Sequence, residues 1–153
     1  MELTTPFNAD VVNSCERLAR IVLSPRDIDP MTNYPKDTFI GLRQDETGIS
    51  FLRFDLMGEE AFRQSGMLRA TLYNGKSKKK RYAFAGWMEG IASEIEALAP
   101  GKIQITVNNP SERPEHVNVE FLMDGEVVKG LVTDARVLDV IDELYHYLKY
   151  VKA

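Results

Sequence analysis

The chain has 153 residues and a formal net charge of −4, with 44% hydrophobic, 27% charged and 9% aromatic residues, the balance of one soluble domain able to bury its own core. A single cysteine, Cys15, excludes an internal disulfide and a Cys-rich zinc or iron–sulfur centre. No apolar run approaches the roughly 18 residues needed to cross a bilayer, and Met1 to Asp10 lack the basic and apolar stretches of a secretory signal, so a cytoplasmic location without membrane contact is expected.

In chain order, residues 8–23 read as a helix. Asn8 suits the N-cap, Val11, Cys15, Leu18 and Val22 recur at three-to-four spacing, and Ser24-Pro25 stops the pattern. Cys15 then lies on the apolar stripe as a buried, inert thiol. Three prolines in 24–37 mark an irregular connection. Thr38–Arg43 and Ile49–Leu56 read as paired strands around the turn 44–48. Residues 58–65 suggest a short helix. Met67–Tyr73 and Arg81–Ala85 suggest a second hairpin with a lysine-rich tip.

Residues 87–99 carry Met88, Ile91, Ala92, Ile95 and Leu98 on one helical side, ended by Pro100-Gly101. Lys102–Val107 alternates as a strand, and the polar stretch 108–115 leads to a hairpin. Val117, Val119, Phe121 and Met123 alternate before Asp124-Gly125, a dipeptide suited to a type I′ turn, and Glu126–Val132 returns. A last helix runs from about 134 to 151. Its stripe is Val137, Ile141, Leu144, Leu148 and Val151, widened by Leu138 and Tyr145. Consecutive hairpins argue for one α+β domain, 1–153: an antiparallel sheet of about seven strands in hairpins or meanders, covered by three main helices (about 8–23, 87–99 and 134–151).

Chemistry-bearing patterns are sparse. Ala70 to Ser77 fits a relaxed phosphate-loop pattern, but Leu72 and Tyr73 fill positions that need small residues, and no helix signal follows the Lys-Ser pair. His116 and His146 are the two histidines. Glu143 and His146 share a helix face, where a surface ion pair is expected rather than half of a metal site. Asp27-Ile28-Asp29 does not continue into a calcium loop. No nucleophile elbow or zinc-protease motif is present. No catalytic residue, metal or cofactor is therefore expected.

What stands out is charge. Lys76, Lys78, Lys79, Lys80 and Arg81 crowd a stretch without an acid, in an otherwise acidic chain. These five are the candidate contact for an anion or a partner. Tyr147 and Tyr150, flanking the last helical stripe, are the candidate interface. The composition predicts a non-enzymatic protein-interaction or regulatory module, its partner a protein or a second copy in a homodimer. A weak nucleic-acid contact through 75–82 is the first alternative, with Tyr73, Tyr82, Phe84 and Trp87 beside it for stacking. A small enzyme using dispersed carboxylates and His116 is the second.

Overall fold

The computed structural model describes residues 7–43, 46–76, 79, 81–130 and 134–153. Its strands are β1 (Arg17–Ser24), β2 (Ile28–Asp29), β3 (Tyr34–Pro35), β4 (Ile49–Arg53), β5 (Ala83–Ile91), β6 (Ile103–Asn109), β7 (Arg113–Met123), β8 (Glu126–Val127) and β9 (Lys149–Lys152). The helices are α1 (Phe54–Met57), α2 (Glu59–Lys76), α3 (Ala92–Ala97) and α4 (Ala135–Tyr147). Seven strands form an antiparallel sheet in the order β6-β7-β4-β1-β5-β9, with β8 hydrogen-bonded to β7, and β2 pairs with β3 apart from it. The α+β class expected from the sequence is the class of the structure.

The expected first helix, 8–23, is instead a strand and the segment leading into it. β1 lies inside the sheet between β4 and β5 and is covered on both faces. Leu18 and Val22 enter one core, Ala19, Ile21 and Leu23 the other. A strand buried on both sides needs apolar residues almost without interruption, and such a run also satisfies helical spacing. Cys15 precedes the strand and is exposed, with Sγ 3.2 Å from the Asn13 side-chain oxygen. The expectation of a buried thiol is overturned with the helix that carried it.

The same ambiguity affects 87–99. Its first half belongs to β5, with Trp87 and Met88 facing opposite cores, and helix begins only at Ala92. Residues 67–73, expected as a strand, continue α2 instead, so 58–65 is the start of an 18-residue helix. α2 buries Phe62, Gly66 and Ala70, a stripe narrow enough to bring its backbone down onto β5. A Cβ on Gly66 would lie 2.5 Å from the Phe84 ring. The second expected hairpin therefore does not exist, and the basic stretch joins a helix to a strand. The strand expected at 38–43 is also absent. A 3₁₀ turn spans Asp37–Phe39, and the chain then runs irregularly to residue 43.

The last helix forms as expected but ends four residues early. Asp134 caps it, accepting from the Arg136 N–H at 2.9 Å, and Val137, Val140, Ile141 and Leu144 are buried. Leu138, expected to widen the stripe, is 44% exposed. After Tyr147 the chain extends and pairs with β5, from Glu89↔Lys149 to Gly86↔Lys152. Gly86 adopts φ 142°, and a Cβ there would lie 2.0 Å from the Val151 carbonyl oxygen. The Asp124-Gly125 turn has positive φ at both residues, as a type I′ turn requires. β8 covers only Glu126–Val127, and residues 131–133 of the expected return strand lie outside the described residues.

Two cores result. One face of the sheet meets α3 and α4 around Leu18, Phe51, Met88, Val119, Phe121 and Leu144. On the other face, Ala19, Ile21, Leu23, Leu52 and Trp87 meet Phe54 and Phe62 beneath α2. α2 packs on β5 and β1. On the same face β7 is met by the four-residue α1, and among the described residues β6 carries no helix there.

Candidate functional site: the open polar half of the sheet

Alternation along β4, β7 and β6 determines what this open face presents. Ile49, Phe51, Val117, Val119, Ile105 and Val107 point to the α4 side. Ser50, His116, Asn118, Thr106 and Asn108 therefore lie on the other. The register sets Ser50 opposite Asn118 and Leu52 opposite His116. His116 joins its neighbours: Nε2 lies 2.5 Å from Ser50 Oγ, and Nδ1 lies 3.0 Å from Asn108 Nδ2. The ring thus bridges Ser50 on β4 and Asn108 on β6 through its two nitrogens.

The His116 ring lies in a positive field. Burial holds the His116 imidazole below its ordinary value, Arg113, Arg69 and Arg20 push it the same way, and Glu115 opposes them. The ring is neutral at neutral pH. Arg20 fills the place where β1 and β4 part. The two strands pair only at Leu18↔Arg53 and Ala19↔Leu52, and beyond that Arg20 Nη1 donates to the Ser50 carbonyl at 2.8 Å and Nε to the Phe39 carbonyl at 3.3 Å. Its guanidinium also lies 4.9 Å from the centre of the Phe39 ring. Burial pulls its pKa to about 10, so it stays charged at neutral pH. Arg69 belongs to exposed positions of α2, beside Leu68 and Leu72, which are 59% and 58% exposed.

The residues singled out from sequence fall elsewhere. Lys76 ends α2 and is exposed, as are Lys79 and Arg81, whereas Lys78 and Lys80 lie outside the described residues. Asn74 clamps the two ends of this connection, accepting from the Tyr82 N–H at 2.6 Å and donating to the Tyr82 carbonyl at 3.0 Å. The aromatics expected to stack on bases pack inward. Phe84 stacks on Trp87 with centroids 6.3 Å apart, Tyr73 meets Tyr82 at 5.6 Å, and Arg26 covers the Tyr73 ring at 4.7 Å. Residues 70–76 of the phosphate-loop match are helical, which removes the loop it needs.

Tyr147 and Tyr150 serve the fold. Tyr147 donates to Glu94 Oε1 at 2.5 Å and accepts from the Ile91 N–H at 3.1 Å. Tyr150 donates to the Ala85 carbonyl at 3.2 Å and meets Tyr34 edge-on at 5.6 Å. Burial raises the pKa of both phenols. His146 is exposed, its Nδ1 3.5 Å from the Asp142 carboxylate. Asp27 and Asp29 diverge, one accepting from the Leu23 N–H and the other from the Met31 N–H. Among the described residues, no three of His, Cys, Asp and Glu converge as metal ligands. A cleft of about 270 Å³ lies between the β7–β8 turn and α4, and its Arg136 is already paired with Asp134 at 3.0 Å.

Sequence reasoning found His116 but missed Ser50, Asn108, Arg20 and Arg69. Alternation on 103–109 and 113–123 was the available signal, yet the partner of His116 lies 66 residues away. No helix of the described residues is long and apolar enough to cross a membrane. No family model, curated protein or solved structure matches the chain. The class that the fold and this site define is an α+β protein with a half-covered antiparallel sheet.

Proposed function

We propose that the protein is a non-enzymatic interaction module that recognises an acidic segment of a partner protein on the open half of its sheet. The observation that carries this reading is the setting of His116. A neutral, hydrogen-bonded polar floor of Ser50, Asn108 and His116 lies in the positive field of Arg113, Arg69 and Arg20, of which Arg69 is exposed on α2. Guanidinium groups match carboxylates by geometry and charge. Exposed Leu68 and Leu72 add the apolar contact that protein interfaces use beside arginine. Nucleic acid fits less well, because unpaired bases need aromatic platforms and Tyr73, Tyr82, Phe84 and Trp87 are committed to packing under α2.

Fluorescence anisotropy with a labelled deca-glutamate peptide and a labelled oligo(dT) tests it at about 50 and about 200 mM salt. The peptide is expected to bind, and Arg69→Glu to weaken it by about tenfold or more by replacing attraction with repulsion. Preferential binding of oligo(dT), lost on replacing Lys76 and Lys79, supports the nucleic-acid alternative instead.

A further inference from the structure

The sheet has two edges, and they are built differently. β9 is four residues long and carries an exposed lysine at each end, Lys149 and Lys152. Short, lysine-bearing strands resist pairing with another chain. β6 has seven residues, IQITVNN, with neither a charge nor a proline.

The outward backbone groups of β6 follow from its ladder. The Lys102 carbonyl accepts from the Leu122 N–H at 2.8 Å. Antiparallel alternation then has Gln104 and Thr106 exchange bonds with Glu120 and Asn118, while Ile103, Ile105 and Val107 turn theirs outward. Two independent contacts agree with this phase. The Ser50 carbonyl, directed away from β7, is taken by Arg20. The Phe121 carbonyl, directed away from β6, is taken by the Val128 N–H. Among the described residues, nothing bonds to the outer N–H and C=O of Ile105 or Val107.

We propose that two copies of the chain pair antiparallel through β6 about a two-fold axis at Ile105, joining their open polar faces into one groove walled by the two α2 helices. The register follows from the outward groups: Ile105 meets Ile105 of the second copy, and Ile103 meets Val107, so all three outward residues of each strand are satisfied. A second copy is the occupant because the strand is uncharged and self-matching, with no like charges brought opposite one another. Residues directly opposite across a ladder share a face, so Ser50, Asn108 and His116 of both copies open to the same side. The floor becomes six strands wide, roughly 29 Å at ~4.8 Å per strand. Next to this edge, Val11 is 62% exposed and borders a cleft of about 440 Å³ with Ile105 and Val107, apolar surface that a second copy would cover.

The groove deepens the reading of the open face as a partner site, but the pairing is tested with no ligand present. Light scattering across protein concentration is expected to approach twice the 17.3 kDa chain mass. In this register Gln104 of one copy stands opposite Thr106 of the other, both half-buried on the polar face. Gln104→Lys with Thr106→Lys sets lysines against each other and is expected to give a monomer. Gln104→Lys with Thr106→Asp sets lysine against aspartate and is expected to keep the dimer. A wild type that stays monomeric at high concentration overturns the proposal, as does a dimer indifferent to the first variant or lost equally in both. A failed peptide titration of a dimeric wild type counts against the acidic-partner reading alone.

Discussion

Arg53 and Glu16 form an ion pair with no solvent exposure, the guanidinium Nε and Nη2 each 2.8 Å from a different carboxylate oxygen. The remaining donors of Arg53 reach backbone carbonyls of Asn8, Ala9, Val11 and Pro114 at 2.7–3.3 Å. One side chain at the end of β4 thus fastens the segment before β1 to the start of β7. The carboxylate also accepts from the Asn13 N–H at 2.6 Å, and the Glu16 carbonyl accepts from the Ala92 N–H at 2.9 Å.

Breaking this pair leaves a buried charge without its opposite charge. Arg53→Met and Glu16→Gln are each expected to cost about 3–5 kcal/mol in urea unfolding, far more than an exposed ion pair returns. The double variant is expected to cost less than the two singles added, because neither charge is then stranded. Additive losses would mean that the two groups do not act as a pair.

Cys15 is expected to react with a thiol reagent in the native state, since its side chain is exposed outside the sheet. Cys15→Ser is expected to change stability by no more than about 0.5 kcal/mol. Labelling that waits for unfolding would return residues 8–23 to a buried helix.

The depressed pKa of His116 makes stability depend on pH in a definite window. Above the ordinary histidine value near 6.5 both folded and unfolded states hold the ring neutral. Below it the unfolded chain binds a proton that the folded ring resists, because burial and three arginines disfavour the cation. Stability is therefore complete above that value and falls as pH drops toward the folded pKa. His116→Gln is expected to flatten this part of the stability–pH curve. An unchanged slope would mean that the ring titrates as freely in the sheet as in water.

Within α4, Leu144 and Leu138 separate core from surface on one helix. Leu144 is fully buried between helix and sheet, and Leu144→Ala is expected to cost about 2–5 kcal/mol. Leu138→Ala, at a side chain 44% exposed, is expected to cost about 1 kcal/mol or less. Thermal or urea melts of the two variants separate these values, and equal losses would contradict the observed face of the helix.

Local chemistry was enough for some of this molecule. The stripe of α4, the Asp124-Gly125 turn, the alternation of β7 and the α+β class are all legible because each depends on residues a few positions apart. Sequence also marked His116, though not what it binds. The three-dimensional structure alone decided that 17–24 and 87–91 are strands, because apolar residues on both faces of a covered strand satisfy helix and strand spacing alike. It decided that Lys149–Lys152 leaves the helix, since the open edge of β5 supplies hydrogen bonds from residues sixty or more positions away. It decided too that Met67–Tyr73 is helical, where Gly66 and Ala70 pack closely on β5 and leave Leu68 and Leu72 in solvent. The polar row of Ser50, His116 and Asn108 exists only through strand register. Register is set by which faces the helices bury, and that is a property of the whole chain.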